Sequence, residues 1–393
     1  MLANKIIVLG ITGGIAAYKA ADIASKLTQA GSKVEVVMTE SATKFIAPLT
    51  LRNVTNRLVV TDMFEPASEY SLEHIAIAEA ADVVVIAPAT ANTIAKIAVG
   101  IADNMLTSVV LATKAPVIVA PAMNVNMFQN SISQENIAKL KVRGFTIVDP
   151  AYGRLASGKI GQGRLAEVET IIGTICQVLG RKGDLAGKRI VVTAGGTQEP
   201  IDPVRYIGNR SSGKMGYAMA EAARDRGAAV ALITAPTSLP EPVGIEVINI
   251  RTASQMKEAV AKAVTKADAL IMAAAVADYQ PKAAVKSKIK KEAPGLTLEL
   301  VRTLDILTEV KGNFLKVGFA AESEDIIANA KQKLEKKSLD LIVANDITSA
   351  DSGFGVDTNK VTIIDRKGNI ESLPLLTKRE VADKILDKVA GLI

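Results

Sequence analysis

Glycines cluster directly after the first apolar segment of the chain, in the sequence Gly10-Ile-Thr-Gly13-Gly14. Glycine at such a turn lets backbone N–H groups approach a phosphate at the N-terminus of the following helix. The spacing GxGxxG is absent, and the second apolar segment ends in Thr39 and Glu40 rather than in an acid placed to bind a ribose. The pattern therefore favours a mononucleotide ligand over a dinucleotide, with a glycine turn needed only for packing as the alternative.

Two later apolar segments each end in proline followed by hydroxyl or amide side chains. PATANT at 88–93 supplies Thr90, Asn92 and Thr93, and PAMNVNM at 121–127 supplies a second set. Because the carboxyl ends of parallel strands meet at one edge of a sheet, we expect these side chains to share one pocket. Service as helix caps is the alternative, since Thr and Asn are common at helix starts.

Lysines are concentrated in the second half of the chain. Five of the ten residues from 282 to 291 are lysine, and Asp278 stands just before them. Clustered ammonium groups would offset the charge of a triphosphate and stabilise a departing pyrophosphate, although a solvated surface segment is the commoner use of such a run. Lys333 and Lys337 are four residues apart in a predicted helix and therefore point the same way.

The sequence Gly208-Asn-Arg-Ser-Ser-Gly213-Lys214 matches the first seven positions of a phosphate-binding P-loop. Met215 stands where that motif needs a serine or threonine for Mg²⁺, and no buried strand is predicted immediately before it. We therefore predict a polar turn that opens a helix at Lys214, whose N-terminus can still bind an anion.

The chain contains one histidine and one cysteine. His74 lies three residues into a predicted helix capped by Ser71, and by type and position alone a lone histidine is more often structural than catalytic. Cys176 lies in the apolar helix IIGTICQVL and is predicted to be in the core. A single cysteine excludes an internal disulfide and argues against a cysteine-based zinc site, which suits a reducing cytoplasm.

Short runs of valine and isoleucine alternate with longer segments of helical period, and the same order occurs twice. This alternation is typical of a parallel sheet with crossover helices. The predicted strands are 5–9, 33–38, 82–87 and 116–120 in the first half and 189–193, 229–233, 269–273 and 339–344 in the second. In both halves an Ala-Asp pair introduces one strand, in AADVVVIAP and KADALIMAA. We predict an α/β chain with two doubly wound, Rossmann-like parallel-sheet domains.

Glycines and charges at 179–188 separate the two halves and predict a domain boundary there. The predicted parts are a domain at 1–180, a linker at 181–188 and a domain at 189–393. Near the end, two predicted strands at 361–365 and 370–374 flank a Lys-Gly-Asn turn, and Thr377 with Glu380 predicts a capping box for a last helix.

Composition limits the class of protein. Of the 393 residues, 49% are apolar and 22% are charged, which is enough core-forming material to exclude disorder along most of the chain. The net charge of +6 suits anionic ligands such as phosphates, but with only 3% aromatic residues it does not indicate nucleic-acid binding. No run reaches 18 apolar residues, so no membrane-spanning segment is predicted.

Four segments of the first half resemble the homo-oligomeric flavin-containing cysteine decarboxylases: GGIAAYK at 13–19, the His74 helix, PATANTIAKIAVGIADN at 88–104 and PAMNVNM at 121–127. In the second half DPVRYIGNRSSGKMG, AAVADY, KIKK, GFAAES and FGVDTNKV resemble the ligase half of the bacterial bifunctional phosphopantothenoylcysteine decarboxylase/phosphopantothenate–cysteine ligases of coenzyme A biosynthesis. This resemblance covers essentially the whole chain. It implies that cysteine is joined to 4'-phosphopantothenate with CTP through an acyl-cytidylate, and that the product is decarboxylated with FMN to 4'-phosphopantetheine.

For the first half, the resemblance implies that FMN is bound by Gly13, Gly14, Thr39, Thr90, Asn92 and Thr93. His74 would be the base that assists proton removal, while Asn124 and Met127 would hold the substrate carboxylate. Relatives often place a proton-donating cysteine in a substrate flap, where this chain has Ser157. Because serine is a poor acid, four alternatives are open: Ser157, a bound water or Lys159 donates the proton, or the last step is slow.

For the second half, the resemblance implies CTP contacts from Asp278, Lys288, Phe319, Lys333 and Lys337, and a nucleotide pocket lined by the backbone of Met272, Ala273 and Ala274. Asn209 would hold the acyl-cytidylate, and Lys288 would promote its formation. Relatives commonly have Asn-Pro-Asp-Ile where this chain has Thr303-Leu-Asp305-Ile306, whose last two residues would contact the base. Mg²⁺ would enter with CTP, held by phosphate oxygens and water.

The resemblance also implies a homo-oligomer, with flavin sites assembled between first domains and a dodecamer as one arrangement. The partners expected are the small-molecule substrates 4'-phosphopantothenate, cysteine and CTP, without nucleic acid or membrane. Two alternatives stay open from the sequence: the same ligase fused to a flavoprotein decarboxylase of another cysteine-like substrate, and a non-catalytic flavin-binding regulator.

Overall fold

The computed structural model describes residues 2–63, 73–290, 296–322, 325–346 and 355–393. Two units divide the chain, Met1–Gly180 and Arg181–Ile393. Ser71 and Lys291, which the sequence singled out, lie outside the described residues. Among the described residues, no helix combines the length and apolar character that crossing a bilayer requires.

The first unit is built on a parallel sheet. Its strands are β1 (Ile6–Ile11), β2 (Lys33–Met38), β3 (Val59–Val60), β4 (Val83–Ala89), β5 (Val117–Pro121) and β6 (Thr146–Ile147). They are all parallel and run in the order β3-β2-β1-β4-β5-β6. A separate antiparallel hairpin consists of β7 (Ala151–Arg154) and β8 (Ile160–Arg164).

Helices cover both faces of this sheet. They are α1 (Ala20–Gln29), α2 (Glu40–Thr43), α3 (Pro48–Thr55), α4 (Glu73–Ala80), α5 (Ala91–Val99), α6 (Met105–Ala112), α7 (Val125–Gln129), α8 (Ser131–Val142) and α9 (Val168–Gly180), with a 3₁₀ turn at Ile15–Lys19. Along β1, Ile7 and Leu9 pack into one apolar cluster and Val8 into another. Burial on both faces explains why the strands are continuous apolar runs. Cys176 is buried on α9, as predicted.

The second unit repeats this plan. Its strands are β9 (Arg189–Ala194), β10 (Gln198–Pro200), β11 (Tyr206–Gly208), β12 (Ala229–Thr234), β13 (Glu246–Asn249), β14 (Ala269–Met272), β15 (Tyr279–Pro281), β16 (Leu300–Arg302), β17 (Leu315–Glu322), β18 (Leu341–Asp346), β19 (Thr358–Asn359), β20 (Val361–Asp365), β21 (Ile370–Ser372) and β22 (Leu376–Thr377). Its helices are α10 (Lys214–Asp225), α11 (Ala253–Ala263), α12 (Ile306–Glu309), α13 (Ile326–Lys336) and α14 (Lys378–Ala390).

The main sheet of the second unit has the order β13-β12-β9-β14-β17-β18-β20-β21. Its first six strands are parallel and follow the same winding as the first unit, and β20 and β21 extend the sheet as an antiparallel hairpin. The α/β class with two doubly wound sheets is therefore confirmed. Leu185, in the segment predicted as a linker, is fully buried in the core of the second unit.

Several local predictions for the second unit are confirmed. The polar turn ends at Gly213 and α10 begins at Lys214. The Thr377 hydroxyl accepts a hydrogen bond from the Glu380 N–H at 3.2 Å, while the Glu380 carboxylate accepts one from the Thr377 N–H at 2.9 Å, which completes the capping box. Strand β17 was not predicted, because Lys316 interrupts its apolar run. The Lys316 ammonium donates to the carbonyl oxygens of Leu307 and Val310, so a tertiary contact compensates for the polar residue.

An aspartate stands immediately before β4, β14 and β18, and each binds an N–H near the start of the neighbouring strand. Asp82 accepts a hydrogen bond from the Ile6 N–H at 2.8 Å, and Asp268 accepts one from the Arg189 N–H at 2.8 Å. Asp340 does the same for the second residue of β17. The Ala-Asp pairs seen in the sequence therefore join adjacent parallel strands at their amino ends.

A buried ion cluster joins α10 to α14. The Asp225 carboxylate accepts hydrogen bonds from the Arg224 guanidinium at 2.6 and 2.8 Å and from Arg379 at 2.7 Å. The side chains of Asp225 and Arg224 are only 1% and 4% exposed. Removing one partner of such a cluster leaves an uncompensated buried charge.

We therefore expect Asp225→Ala to lower the free energy of unfolding of the second unit by about 3–5 kcal/mol. Urea unfolding of the whole chain, followed by hydrogen exchange of the α10 and α14 amides, measures this. Glu299→Gln is the control, because it removes the exposed Lys282–Glu299 pair and should cost about 1 kcal/mol or less. Equal losses in the two variants would contradict the assigned role of the cluster.

Candidate functional sites

Each sheet has one point where the chain leaves two neighbouring strands in opposite directions. In the first unit these strands are β1 and β4, and in the second they are β9 and β14. The loops beyond their carboxyl ends diverge and leave a crevice, which is where open α/β sheets bind ligands. Several of the polar residues singled out in the sequence lie on these loops, among them Thr90, Asn209 and Asp278.

A buried threonine joins the two loops of the first crevice. The Thr12 hydroxyl donates to the Pro88 carbonyl oxygen at 2.7 Å and accepts from the Thr90 N–H at 2.9 Å. Thr12 has no exposed surface. Thr12 was not predicted as a site residue; the signal in the sequence is a hydroxyl between the apolar strand and the glycine turn.

The glycine turn lies against the start of α2. A Cβ on Gly13 would come within 2.3 Å of the Ser41 Cβ, so only glycine fits there. Gly14 precedes the 3₁₀ turn and Thr39 precedes α2. No side chain caps the start of either helical segment. Backbone N–H groups at both starts are therefore available to an anion.

The Thr90 loop, defined here as residues 88–93, caps the following helix and also exposes a polar side chain. The Thr90 hydroxyl accepts from the Thr93 N–H at 3.4 Å and lies 3.2 Å from the Thr93 hydroxyl. The cap expected as an alternative is thus present. Asn92, one residue before Thr93, is exposed and leaves its amide toward solvent.

The β7–β8 hairpin brings its tip to the loop after β5. The Asn124 amide donates to the Ser157 hydroxyl at 3.3 Å, while the Asn124 side-chain oxygen accepts from the Asn126 N–H at 2.9 Å. Lys159 closes the same tip through its carbonyl oxygen, which accepts from the Leu155 N–H at 2.8 Å. The structure thus joins two of the predicted residues, Asn124 and Ser157, across 33 positions of sequence. Met127, on α7, is half exposed.

His74 lies on a different element. It is the second residue of α4, which packs against α6, and it is partly exposed. Within the described residues, no hydrogen bond joins His74 to Asn124 or Ser157.

A cavity of about 850 Å³ occupies the second crevice. It is lined by most of the residues predicted for this half: Asn209, Met272, Ala273, Ala274, Asp278, Asp305, Ile306, Phe319, Lys333 and Lys337. Lys288 is exposed on the loop after β15 and does not line the cavity. The structure therefore gathers the predicted nucleotide-binding residues, with Lys288 outside.

Hydroxyl groups join the two loops of this crevice as well. The Thr193 hydroxyl accepts from the Ala274 N–H at 3.1 Å, and the Thr197 hydroxyl accepts from the Ala277 N–H at 2.9 Å. Both threonines have no exposed surface. The backbone from 272 to 277 is consequently held along the cavity wall.

Charged groups of both signs border the cavity. Lys337 forms an ion pair with Asp305 at 3.1 Å, so these two predicted residues are neighbours. The Asn209 amide donates to the Val276 carbonyl oxygen at 3.1 Å. Lys336 also lines the cavity, beside Lys337 at the end of α13.

Two further lysines in the lining were missed. The Lys214 ammonium pairs with Asp357 at 2.7 Å, and the Lys378 ammonium donates to the Thr358 carbonyl oxygen at 3.2 Å. Burial and the nearby Lys214 lower the pKa of Lys378, against the opposing effect of Asp357. For Lys378 the available signal was a lysine at the first position of a helix, which is electrostatically unfavourable. For Lys214 it was also the partial P-loop match.

The residues of the first crevice fit FMN. Backbone N–H groups beside Gly14 and Thr39 suit its phosphate, and the hydroxyl and amide groups of the Thr90 loop suit its polar edges. For Mg²⁺, the described residues contain no group of three or more His, Cys, Asp or Glu side chains that could hold a metal ion.

Two family models match the chain. The model described as Flavoprotein matches residues 1–180, and the model described as DNA/pantothenate metabolism flavoprotein C-terminal domain matches residues 185–392. Among solved structures, the C-terminal domain of coenzyme A biosynthesis bifunctional protein CoaBC is 42% identical, with a TM-score of 0.46 over 53% of this chain and 97% of that one. A PPC decarboxylase mutant complexed with pantothenoylaminoethenethiol is 33% identical, with a TM-score of 0.41 over 44% and 96%.

Relatives match along the full length of the chain. Coenzyme A biosynthesis bifunctional protein CoaBC of Bacillus subtilis (strain 168) is 47% identical over 398 aligned positions, which cover 100% of this chain and 98% of the relative. The protein of the same name from Escherichia coli (strain K12) is 42% identical, covering 99% and 97%. The resemblance drawn from the motifs is thereby confirmed, and the chain belongs to the family of coenzyme A biosynthesis bifunctional proteins.

Proposed function

We propose that the second unit joins cysteine to 4'-phosphopantothenate with CTP, and that the first unit decarboxylates the product to 4'-phosphopantetheine with FMN. The observation that carries this proposal is the pair of polar crevices at matching points of two sheets within one chain. We assign residues 1–180 to the decarboxylase and residues 189–393 to the ligase. The two reactions are consecutive, because the product of one is the substrate of the other.

The ligase must activate a carboxylate that does not react with amines. CTP supplies a cytidylyl group, so that the amine of cysteine displaces CMP rather than oxide. Lys333 and Lys337 bring positive charge to the cavity, where it offsets the triphosphate and stabilises departing pyrophosphate. Asn209, tied to the wall at Val276, orients the acyl-cytidylate, and Lys288 promotes its formation. Mg²⁺ enters on CTP, held by phosphate oxygens and water.

The nucleoside part of CTP occupies the wall of the same cavity. The backbone of Met272, Ala273 and Ala274 lies along it, together with the side chains of Asp278 and Phe319. Asp305 and Ile306 at the start of α12 contact the base. Asp305 is held toward the cavity by its ion pair with Lys337, so the base-contact loop and the cationic helix are fixed together.

The decarboxylase works on a cysteine carboxylate that has no internal electron sink. Bound FMN supplies reversible two-electron oxidation of the substrate, which makes loss of CO₂ possible. Gly13, Gly14, Thr39, Thr90, Asn92 and Thr93 bind it. Asn124 and Met127 hold the substrate carboxylate, and His74 assists proton removal. Ser157, in contact with Asn124, is the proton donor that we favour over Lys159.

We further propose a cytoplasmic homo-oligomer in which first units meet beside the flavin loop. Ile15 and Tyr18, next to Gly14, are 63% and 60% exposed, which is unusual for large apolar side chains beside a ligand site. Contact with another copy would cover these side chains and would bring the His74 of that copy toward Asn124. A dodecamer is one assembly that provides such contacts.

We expect purified protein given 4'-phosphopantothenate, cysteine, CTP and Mg²⁺ to release CMP and to form 4'-phosphopantetheine with CO₂. Product quantification by mass spectrometry measures both halves together. His74→Asn should still release CMP but accumulate phosphopantothenoylcysteine. Flavin-bound protein that forms CMP without CO₂ above this control would favour a decarboxylase of another cysteine-like substrate, and flavin binding without either product would favour a regulator.

We expect Thr12→Val to weaken FMN binding by about tenfold to a hundredfold, because the Thr90 N–H loses its hydroxyl partner at about 1–3 kcal/mol, while the Pro88 carbonyl oxygen keeps only the Thr12 N–H at 3.3 Å. Fluorescence titration of flavin-free protein measures the affinity. Thr43→Val is the matched control, since the Thr43 hydroxyl donates to the Glu40 carbonyl oxygen on the surface. Unchanged affinity in Thr12→Val would refute the role of the threonine contact.

We expect Ser157→Cys to raise the rate of phosphopantetheine formation by about tenfold or more, because a thiol is a much stronger acid than an alcohol. Ser157→Ala should lower the rate. Decarboxylation of supplied phosphopantothenoylcysteine measures both. If neither variant changes the rate while Lys159→Met lowers it, Lys159 is the donor instead.

A further inference from the structure

Asp202 carries a buried carboxylate in the turn between β10 and β11. Its side chain has no exposed surface. One carboxylate oxygen accepts hydrogen bonds from the N–H groups of Val204 at 2.8 Å and Arg205 at 2.9 Å. The other oxygen accepts from the N–H of Ile289 at 3.2 Å, 87 positions further along the chain.

The segment that Asp202 reaches is the lysine loop, defined here as residues 282–290. Two more hydrogen bonds hold this loop to the same turn. The Arg205 guanidinium donates to the Ile289 carbonyl oxygen at 3.1 Å, and the Val285 N–H donates to the Ile201 carbonyl oxygen at 2.9 Å. The turn therefore grips both the N–H and the carbonyl of Ile289.

At the start of the loop, Lys282 is held by Glu299 through its N–H and its ammonium group. Nearer Ile289, the contacts just described are those that the described residues show. Residues 282–288 and Lys290 are exposed, so the lysine side chains make no core contact. Neighbouring ammonium groups repel one another, which favours an extended, variable loop. Ile289 stands between Lys288 and Lys290, so its position decides where both ammonium groups can reach.

The carboxylate at the centre of this contact is held in its charged form. The N–H groups of Val204, Arg205 and Ile289 lower the pKa of Asp202 against the opposing effect of burial. A charged acceptor makes stronger hydrogen bonds than a neutral one. The hydrogen bond from the Ile289 N–H to Asp202 is therefore stronger than a hydrogen bond to a neutral acceptor in this turn would be.

We propose that Asp202 is a positioning residue of the ligase, which acts through Ile289 to hold Lys288 where it promotes formation of the acyl-cytidylate. This inference rests on the function proposed for Lys288. Asp202 touches neither substrate nor nucleotide in this account. Its effect on the reaction passes entirely through the backbone of the lysine loop.

The substitution Asp202→Asn tests the contact between the turn and Ile289, which includes the ion pair between the Arg205 guanidinium and the Asp202 carboxylate at 3.7 Å. An asparagine can keep one oxygen facing the N–H groups of Val204 and Arg205, which preserves the turn. Its NH₂ group then faces the Ile289 N–H, and two donors cannot bond to each other. Glu199→Gln is the matched control, because Glu199 is a buried carboxylate on the same hairpin that binds the Ala253 N–H instead.

The experiment uses the full chain and measures CMP release from CTP, 4'-phosphopantothenate and cysteine. We expect Asp202→Asn to lower kcat about tenfold to a hundredfold, with little change in KM for CTP and with normal decarboxylation of supplied phosphopantothenoylcysteine. Hydrogen exchange at Ile289 should accelerate by about tenfold or more. Glu199→Gln should leave both quantities unchanged.

A double mutant separates positioning from general damage. If Asp202 acts through Lys288, Asp202→Asn should add no further loss in a Lys288→Ala background, because coupled residues are not additive. Additive losses, or normal CMP release in Asp202→Asn while Lys288→Ala is impaired, would overturn the inference. Normal CMP release in Lys288→Ala itself would instead show that the function proposed for Lys288 is wrong.

Discussion

The crevices of this protein depend on keeping together two loops that leave neighbouring strands in opposite directions. Beyond the strand ends only a few backbone hydrogen bonds join these loops, such as the one from the Thr12 N–H to the Pro88 carbonyl oxygen at 3.3 Å and the one from the Ala275 N–H to the Gly195 carbonyl oxygen at 2.9 Å, so the loops need further partners. Buried threonine hydroxyls provide them: Thr12 in the first unit, and Thr193 and Thr197 in the second. Each hydroxyl accepts a hydrogen bond from a partly or fully buried backbone N–H, and leaving that N–H without a partner would cost more than the bond itself contributes. The shape of both proposed ligand sites follows from these contacts.

The amino ends of the same strands are joined by a complementary device. Asp82 and Asp268 bind the first N–H groups of β1 and β9, so both ends of the two central strand pairs are tied by side chains. The winding of the two sheets is the same across six parallel strands. The two units thus share one strand order and one way of joining adjacent strands. The loops beyond the strands differ, and these loops support the different chemistry proposed for each unit.

Features that depend on residues close together in the chain could be predicted from the sequence. The start of α10 after Gly213 and the capping box of Thr377 depend on neighbouring residues alone, and both were predicted. Features that depend on residues distant in the chain could not be predicted from the sequence. Strand β17 can contain Lys316 because carbonyl oxygens elsewhere in the fold accept hydrogen bonds from its ammonium group. Asn124 and Ser157 are 33 positions apart, and only the folded hairpin brings them into contact. The roles of individual site residues came from motif resemblance, since no spacing rule identifies a threonine such as Thr12.

The ion cluster around Asp225 ties the final helix to α10, and the first residues of these two helices, Lys378 and Lys214, both line the second cavity. The nucleotide pocket is therefore completed by α14, a helix far along the chain from the strands β9 and β14 of its crevice. The first unit has its own sheet and cores within the first 180 residues. During translation, domains generally fold as units from the N-terminus. A nascent chain would thus hold a folded flavin unit while the nucleotide pocket still awaited the synthesis of α14.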